Sequence, residues 1–453
     1  MANPLGSACL AKFRHAVLYR SLLQRTGQYS VRALPGRALR RNHRRLSRMM
    51  LCTHACSQTG EKESVTVLHG KEENNLRSNT GGRQVIAAIK SAVQVAVLLS
   101  LIVVVSGAQE KTATSGLGSA GPMVHGTADD PLRDPQEKHF RHVKQLTFGG
   151  QNAEAYFSYD GLRLIFMTTR EPYKCDQIFV MSTDGSGQHL VSTGEGRTTC
   201  GYFYADGRHL LYSSTHAANK ECPPHPDYSH GYVWGVYPEY QMYYASAEDK
   251  IVKPLTTGPG YNAEATISAD GKKIVFTSSR DGDLEVYTMN ADGSGAKRLT
   301  HTLGYDGGPF FSPDGKWIAY RAHHPKTAEE IAKYKSLLAQ GLVEPSEMDL
   351  WVMRADGSDQ KQITKLAGAS FAPSFYPDSR RIIFASNYEH PASSQFELYA
   401  INRDGSALER ITFAGGFSAF PQFSPDGKKL VFVSNRNGKV PHEINVFIAD
   451  WVP

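Results

Sequence analysis

The sequence predicts an all-β fold, a six-bladed β-propeller. From His142 onward, six segments each contain an apolar strand that follows an Asp-Gly or Asp-Ser turn. The turn aspartates are separated by 46, 64, 44, 64 and 48 residues, a period typical of four-stranded propeller blades. These aspartates are Asp160, Asp206, Asp270, Asp314, Asp378 and Asp426.

Each repeat carries the strands of one antiparallel sheet. Asp-Gly between two strands is typical of a tight hairpin, because glycine accepts the positive φ that the turn needs. In the third repeat, KKIVFTS (272–278) and EVYTM (285–289) are followed by a second Asp-Gly turn and a short strand that ends in Leu-Thr. With the strand before the first turn, this gives four strands per repeat.

The two ends of the repeat region complement each other. The first recognisable element, KQLT at 144–147, has the sequence of an outer strand but no blade before it. The last repeat ends with NVFIADW (445–451) and lacks an outer strand of its own. We therefore expect the N-terminal strand near 144–147 to complete the last blade and close the ring.

The repeat motifs resemble a known family. FSPDGKWI (311–318), FSPDGKKL (423–430) and MNADGSG (289–295) are similar to the WD40-like, or PD40, repeats of TolB-like β-propellers. The resemblance covers about residues 142–453. It implies an exported, TolB-like propeller that binds a protein, peptide or glycan. Residues 1–139 lack the pattern of the α/β domain that precedes the propeller in TolB.

Charge is concentrated at the N-terminus. Residues 1–50 contain eleven Lys or Arg and no acidic residue, so the net charge of +6 becomes −5 for residues 51–453. The repeat region therefore lacks the basic footprint of a nucleic-acid-binding domain. We expect no nucleic-acid partner and a monomeric propeller.

An apolar segment precedes the repeats. Residues 91–108 are uncharged and end in Ser-Gly-Ala, the order of a secretory signal peptide cleaved after Ala108. An uncleaved membrane anchor is the alternative, and membrane contact would then occur only through this segment. The sequence thus predicts a periplasmic or extracellular protein. Residues 1–90 form a basic extension, either a transit peptide or a wrongly extended start, and residues 109–141 read as a linker.

Alignment on the turn aspartates predicts a polar ring at one mouth of the central channel. In blades 1 and 3 the ring position is an asparagine, Asn152 or Asn262. Glu154 and Glu264 follow two residues later, within identical Asn-Ala-Glu-Ala sequences. We interpret the Glu pair as candidate ligand-binding residues, with Ca²⁺ as one possible ligand. The alternative is a structural network between blades. The full candidate set is Asn152, Glu154, Arg197, Asn262, Glu264 and Asp306.

Two long insertions are expected above the same mouth, because they follow the second strand of their blades. They span about residues 215–240 and 322–348. Long loops on a rigid scaffold often carry binding residues. The second contains a predicted helix that starts with a capping box at Thr327 and Glu330.

The first insertion and its surroundings contain possible zinc ligands. Cys222, His225 and His230 have suitable side chains, but their spacing matches no short zinc motif. A disulfide among Cys175, Cys200 and Cys222 is the favoured interpretation if the protein is exported.

Three arginines recur at one blade position, where each ends a predicted second strand: Arg170, Arg280 and Arg436. A substrate-binding cluster is one interpretation, but repetition at one position favours a structural turn or an ion pair between blades.

These patterns favour a non-enzymatic binding module without a firm cofactor. The alternative is a propeller enzyme of the lyase or glycoside hydrolase type that uses the channel carboxylates, with or without a metal. No catalytic residue is assigned, and no Gly-x-Ser-x-Gly nucleophile motif occurs.

Overall fold

The computed structural model describes residues 121–228, 231–246 and 252–453. Within them the chain forms six four-stranded antiparallel sheets, so the predicted six-bladed propeller is confirmed. The region 1–120, which includes the predicted signal peptide or anchor, lies outside the described residues. In the described part of the chain, no helix is long and apolar enough to span a membrane.

Blades 1 to 3 follow the chain from the innermost strand outward. Blade 1 contains β2 (Asn152–Phe157), β3 (Arg163–Thr168), β4 (Gln177–Ser182) and β5 (His189–Leu190). Blade 2 contains β6 (Thr198–Phe203), β7 (His209–Ser214), β9 (Gln241–Ser246) and β10 (Val252–Pro254). Blade 3 contains β11 (Asn262–Ile267), β12 (Lys273–Ser278), β13 (Glu285–Asn290) and β14 (Lys297–Arg298).

Blades 4 and 5 have the same order, and blade 6 takes its outer strand from the other end of the repeat region. Blade 4 contains β15 (Tyr305–Phe311), β16 (Trp317–His323), β18 (Asp349–Arg354) and β19 (Lys361–Gln362). Blade 5 contains β20 (Ser370–Phe375), β21 (Arg381–Ser386), β22 (Glu397–Asn402) and β23 (Glu409–Arg410). Blade 6 contains β24 (Ser418–Phe423), β25 (Lys429–Ser434), β26 (Asn445–Trp451) and β1 (Phe140–Gln145).

Ring closure occurs in the predicted place. Strand β1 pairs antiparallel with β26, and it begins four residues before the predicted KQLT segment. Thr147 then accepts a hydrogen bond from the backbone N–H of Val446, at 2.9 Å. Thr412 accepts the same bond from Leu398 in blade 5, at 2.8 Å. The Leu/Ile-Thr motif therefore fastens the outer strand of a blade to its third strand.

The two long insertions meet in the structure. Strand β8 (Trp234–Gly235), from the blade 2 insertion, pairs with β17 (Leu342–Val343), from the blade 4 insertion. We call this two-stranded sheet the cap. Helix α1 (Ala328–Leu338) precedes β17 and has the predicted capping box at Thr327 and Glu330. The pairing places both insertions at the same end of the propeller.

Helix α1 is fixed by one buried side chain. Tyr334 is 6 % exposed, and its hydroxyl donates to Asp283 at 2.6 Å and lies 2.7 Å from the carbonyl oxygen of Gly304. Asp283 lies in the loop between β12 and β13 of blade 3, and Gly304 lies in the connection from blade 3 to blade 4. The helix therefore packs onto the propeller rim.

Candidate functional site

The innermost strand of every blade contains a β-bulge, and these bulges surround the central channel. Strand pairing shifts register in the middle of each innermost strand, for example between Ala153 and Tyr156. One residue in each bulge has a φ between 51° and 58°, a conformation that non-glycine residues rarely adopt. These residues are Glu154, Cys200, Glu264, Gly308, Ala372 and Phe420. The two candidate glutamates thus occupy equivalent bulges.

The predicted polar ring is buried between strands. Asn152 and Asn262 are 0 % and 1 % exposed. Each Oδ1 accepts a hydrogen bond from the hydroxyl that ends the second strand of its blade, Thr168 or Ser278, at 2.8 Å. Each Nδ2 donates to backbone carbonyls of the loop that enters the blade. In blades 1 and 3 the ring asparagine therefore connects the start of the innermost strand to the second strand and to the entering loop.

Glu264 lies at the centre of a saturated polar cluster. Its Oε2 accepts hydrogen bonds from Thr277 Oγ1 at 2.6 Å and from the Gly308 N–H at 2.8 Å. Its Oε1 accepts from Tyr305 at 2.7 Å and forms an ion pair with Arg321. Burial raises the pKa of Glu264, but Arg321 and these donors outweigh burial and hold it below its usual value.

Arg321 reaches Glu264 through a gap that Gly308 leaves open. A Cβ atom on Gly308 would lie 1.9 Å from Nη1 of Arg321. Arg321 is 7 % exposed, and its Nη2 also bonds to the hydroxyl of Tyr305. A charged side chain from a second strand can therefore enter the channel only because blade 4 has glycine in its bulge.

Glu154 has the same geometry but fewer partners. Its Oε2 accepts a hydrogen bond from the Cys200 N–H at 2.9 Å, the counterpart of the bond from Gly308 to Glu264. No cation forms an ion pair with Glu154 within the described residues. Burial, reinforced by the negative charge of Glu264, raises the pKa of Glu154 to about 7. This carboxyl therefore titrates near neutral pH.

Trp234 of the cap covers this cluster. The guanidinium of Arg321 lies 5.0 Å from the Trp234 ring centroid. The indole also makes edge contacts with Tyr305 and Phe371, at 6.4 and 6.0 Å between centroids. The cap is therefore anchored to the channel residues of blades 4 and 5.

The remaining candidates lie apart from the Glu pair. Asp306 is 1 % exposed and pairs with His324 Nε2 at 2.9 Å. Burial raises the pKa of Asp306 despite this partner. Arg197 lies 3.6 Å from Asp176, measured between Nε and Oδ2. The structure thus brings Glu154 and Glu264 together and places Asp306 and Arg197 in separate ion pairs.

The cysteine and histidine candidates are arranged around a disulfide. Cys175 in the β3–β4 loop is joined to Cys222 in the blade 2 insertion, and Cys200 is a buried free thiol. The Cys222 sulfur is therefore not available as a thiolate ligand, and His230 lies outside the described residues. Among the described residues, no three His, Cys, Asp or Glu side chains are grouped to hold a metal ion.

The recurrent arginines form a repeated stacking arrangement. Arg170 lies over Phe166 and Phe179, with its guanidinium carbon 5.6 and 5.7 Å from the ring centroids. Arg436 lies over Phe432 and Phe447, at 5.0 and 5.9 Å. The equivalent residue in each of the other four blades also contacts the aromatic residue of its third strand. These residues are His216, Arg280, His324 and Tyr388.

Sequence reasoning missed Arg321, Gly308 and Trp234 as members of the site. Two signals were present for the first pair. An arginine interrupts the buried strand β16, at a position where the aligned residues are uncharged, and glycine replaces a side chain in the bulge of the same blade. Trp234 carried no such signal, because only the pairing of two insertions places it over the channel.

Comparison with known proteins agrees with this architecture. Residues 237–340 and 335–450 match the PD40 family, described as the TolB β-propeller domain. An uncharacterized protein of Agrobacterium fabrum is 29% identical over 128 residues, which cover 27% of this chain and 37% of the relative. A protein TolB homolog of Chlorobium chlorochromatii is 27% identical over 141 residues, which cover 26% of this chain and 32% of the relative. The matches thus span about a third of the length of these relatives.

Among solved structures, a putative TolB from Agrobacterium tumefaciens is 18% identical with a TM-score of 0.45, covering 69% of this chain and 97% of that one. The family match extends over the repeats that carry the FSPDGK motifs. The chain therefore contains a TolB-like β-propeller, in which the match to PD40 repeats spans residues 237–450.

Proposed function

We propose that this chain is an exported, non-enzymatic binding module that uses the capped end of its propeller to bind a protein partner. The observation that carries the proposal is the pairing of β8 with β17, which turns two insertions into one ordered surface above the channel. Tyr228 and Tyr232 of the first insertion are 49% and 58% exposed. Their rings are stacked with centroids 6.0 Å apart. Exposed tyrosines are typical of protein-binding surfaces.

Export is supported by the disulfide between Cys175 and Cys222. Structural disulfides persist in oxidising compartments and are rare in the cytosol. We propose a periplasmic or extracellular location. Alkylation of unfolded protein taken directly from its native cells tests this proposal, since an exported chain should have one fewer pair of reactive thiols than the fully reduced chain. Complete alkylation without a reductant would contradict it.

Partner binding is tested by photo-crosslinking in the native cells. A photoreactive phenylalanine analogue at Tyr232 should give a discrete adduct with one protein. The matched control is the same analogue at Leu162, which is 66% exposed. Leu162 lies in the turn between β2 and β3, at the end of the propeller opposite to the cap. Adducts of equal yield at both positions, or none at Tyr232, would contradict the proposal.

An enzyme is the second candidate, and one observation favours it. The pKa of Glu154 is raised to about 7, which suits a general acid or base near neutral pH. A lyase or glycoside hydrolase would need a second reactive carboxylate, but Glu264 is already occupied by Arg321 and Tyr305. Hydrolysis or elimination of a polysaccharide that is lost in Glu154→Gln would support this candidate over the binding module.

A further inference from the structure

The segment before the propeller already behaves as a bound peptide. Residues 121–139, which we call the N-terminal strap, precede the first blade strand and contact the capped end of blade 6. Pro122 accepts a hydrogen bond from the N–H of Asn437 at 3.2 Å, and Leu132 accepts one from Arg436 at 3.1 Å. The strap therefore shows which peptide chemistry this face of the propeller accommodates.

The central contact of the strap is a buried ion pair. Glu137 and Arg436 are both 0 % exposed, and they form two hydrogen bonds of 2.8 and 3.0 Å. Glu137 Oε1 also accepts from the N–H of Phe413, at 3.3 Å. The Glu137 carboxylate thus lies between Arg436 of blade 6 and Phe413, the residue that follows Thr412 in blade 5.

Arg170 in blade 1 is the counterpart of Arg436. Both arginines stack on two phenylalanines from the second and third strands, at distances that agree within 0.6 Å. Both Nε atoms bond to the hydroxyl that ends the second strand, Thr168 Oγ1 at 3.1 Å and Ser434 Oγ at 3.2 Å. The two arginines therefore have the same orientation in their blades.

The two arginines differ in exposure and in their ionic partner. Arg170 is half-buried and forms no ion pair with a carboxylate among the described residues, and burial lowers its pKa. Phe148 follows Thr147 as Phe413 follows Thr412, and it is 67% exposed. The loop that carries Phe148 touches Arg170, since a Cβ on Gly150 would lie 2.9 Å from Arg170 Cγ. The loop that carries the exposed ring of Phe148 thus lies against the half-buried side chain of Arg170.

We propose that Arg170 and Phe148 form a second peptide site, at the junction of blades 6 and 1, that binds an acidic segment of a partner protein. A glutamate of the partner pairs with Arg170 as Glu137 pairs with Arg436. An apolar residue of the same segment covers Phe148. This inference rests on the proposed function, in which the propeller binds other proteins. The second site is separate from the cap.

Arg280 is a matched control within the same chain. It stacks on Phe276 and Tyr287 in blade 3, but its Nη2 donates to Asn262 Oδ1 at 2.7 Å. The residue after the outer-strand Thr of blade 2 is Thr257 rather than an aromatic residue. Arg280 therefore has the same charge and stacking without the adjacent apolar surface.

The test is fluorescence anisotropy on the full chain, with a labelled synthetic peptide of the sequence Asp130–His139 as the probe. We expect saturable binding that is at least tenfold weaker with Arg170→Gln and with a peptide that carries Glu137→Gln. Phe148→Ser, at an exposed position, should weaken binding severalfold, and Arg280→Gln should not change it. Thermal unfolding of each variant verifies that the propeller is folded.

Two results would overturn the inference. Undiminished binding to Arg170→Gln would mean that the peptide only replaces the strap at Arg436. Absence of binding to the unaltered chain at peptide concentrations of about 1 mM, a free energy of roughly −4 kcal/mol, would exclude a useful site. Crosslinking at Tyr232 does not depend on Arg170, so failure here leaves the proposed function to be judged separately.

Discussion

Blades 1 and 3 carry the same Asn-Ala-Glu-Ala sequence, yet the pKa values of their glutamates are shifted in opposite directions. Glu154 and Glu264 have φ values of 51° and 58°, and each accepts a backbone N–H from the bulge of the following blade. Glu264 also pairs with Arg321, which holds its pKa low, whereas the pKa of Glu154 rises to about 7. Identical motifs therefore give one carboxyl whose pKa is lowered and one whose pKa is raised to near neutral pH.

The following blade decides the difference. Blade 4 supplies Gly308 and Arg321 to Glu264, whereas blade 2 supplies Cys200 and Ser213 at the aligned positions to Glu154. A side chain in the bulge of blade 4 would obstruct the path of the arginine. The charge state of a channel glutamate is thus set by two residues of its neighbour, and substitutions there test the comparison.

The largest effect is expected from Arg321→Met. The change leaves the carboxylate of Glu264 buried without its cation, which costs about 3–5 kcal/mol of unfolding free energy. Urea unfolding near pH 7 measures the loss. Adding Glu264→Gln should restore part of it, because the unpaired charge is then removed. A loss below about 1 kcal/mol would show that the ion pair does not stabilise the channel.

Gly308→Ala should be the next most damaging change. The new methyl group would occupy the path of Arg321, and the residue would retain a positive φ. We expect a loss of about 3 kcal/mol from displacement of the ion pair together with backbone strain. Ala372→Gly is the matched control, because Ala372 occupies the equivalent bulge of blade 5 with a φ of 52°. If both substitutions change stability equally, the passage for Arg321 is not the reason for the glycine.

Glu154→Gln should make stability less dependent on pH. The folded state holds a proton on Glu154 up to about pH 7, whereas the ordinary carboxyl value is 4.5. The contribution of this proton to the free energy of unfolding is fully present below the ordinary pKa of 4.5 and is lost as the pH rises through about 7. At about pH 8 the variant should therefore be more stable than the unaltered chain by on the order of 2 kcal/mol.

The comparison is denaturant unfolding of both proteins between about pH 5 and pH 8. The difference in unfolding free energy should increase in favour of Glu154→Gln over this range. Glu264→Gln is the control, and it should lower stability throughout because it leaves Arg321 without its counterion. Parallel pH profiles for Glu154→Gln and the unaltered chain would contradict the raised pKa.

Thr277→Val should have the smallest effect. The hydroxyl donates one of four polar contacts to Glu264, and valine has nearly the same shape. We expect a loss of about 1 kcal/mol. A double-mutant cycle with Glu264→Gln should assign most of this loss to the bond between the two side chains. Additive losses would show that Thr277 stabilises the blade by another route.

The repeat pattern was sufficient for the fold, because every blade uses the same local chemistry. The Asp-Gly turns, the apolar strands and the Leu/Ile-Thr motif recur in sequence, and each repeat forms one sheet. The outer strand at residues 140–145 was predicted four residues late, since Phe140 and Arg141 extend the pairing beyond the KQLT motif. For the site, the alignment identified Glu154 and Glu264 as equivalent residues but could not show their different partners.

The sequence by itself determined the number of blades, the closure of the ring and the shared positions of the two glutamates. The blade number and the glutamate positions follow from the periodicity of the repeats, and ring closure follows from the unpaired outer-strand sequence at the start of the repeat region. The tertiary structure alone decided that Arg321 reaches Glu264, that Trp234 stacks on Arg321 and that Glu137 pairs with Arg436. Each of these contacts joins residues of different blades, insertions or the strap, and their proximity follows from the closed ring rather than from any local pattern.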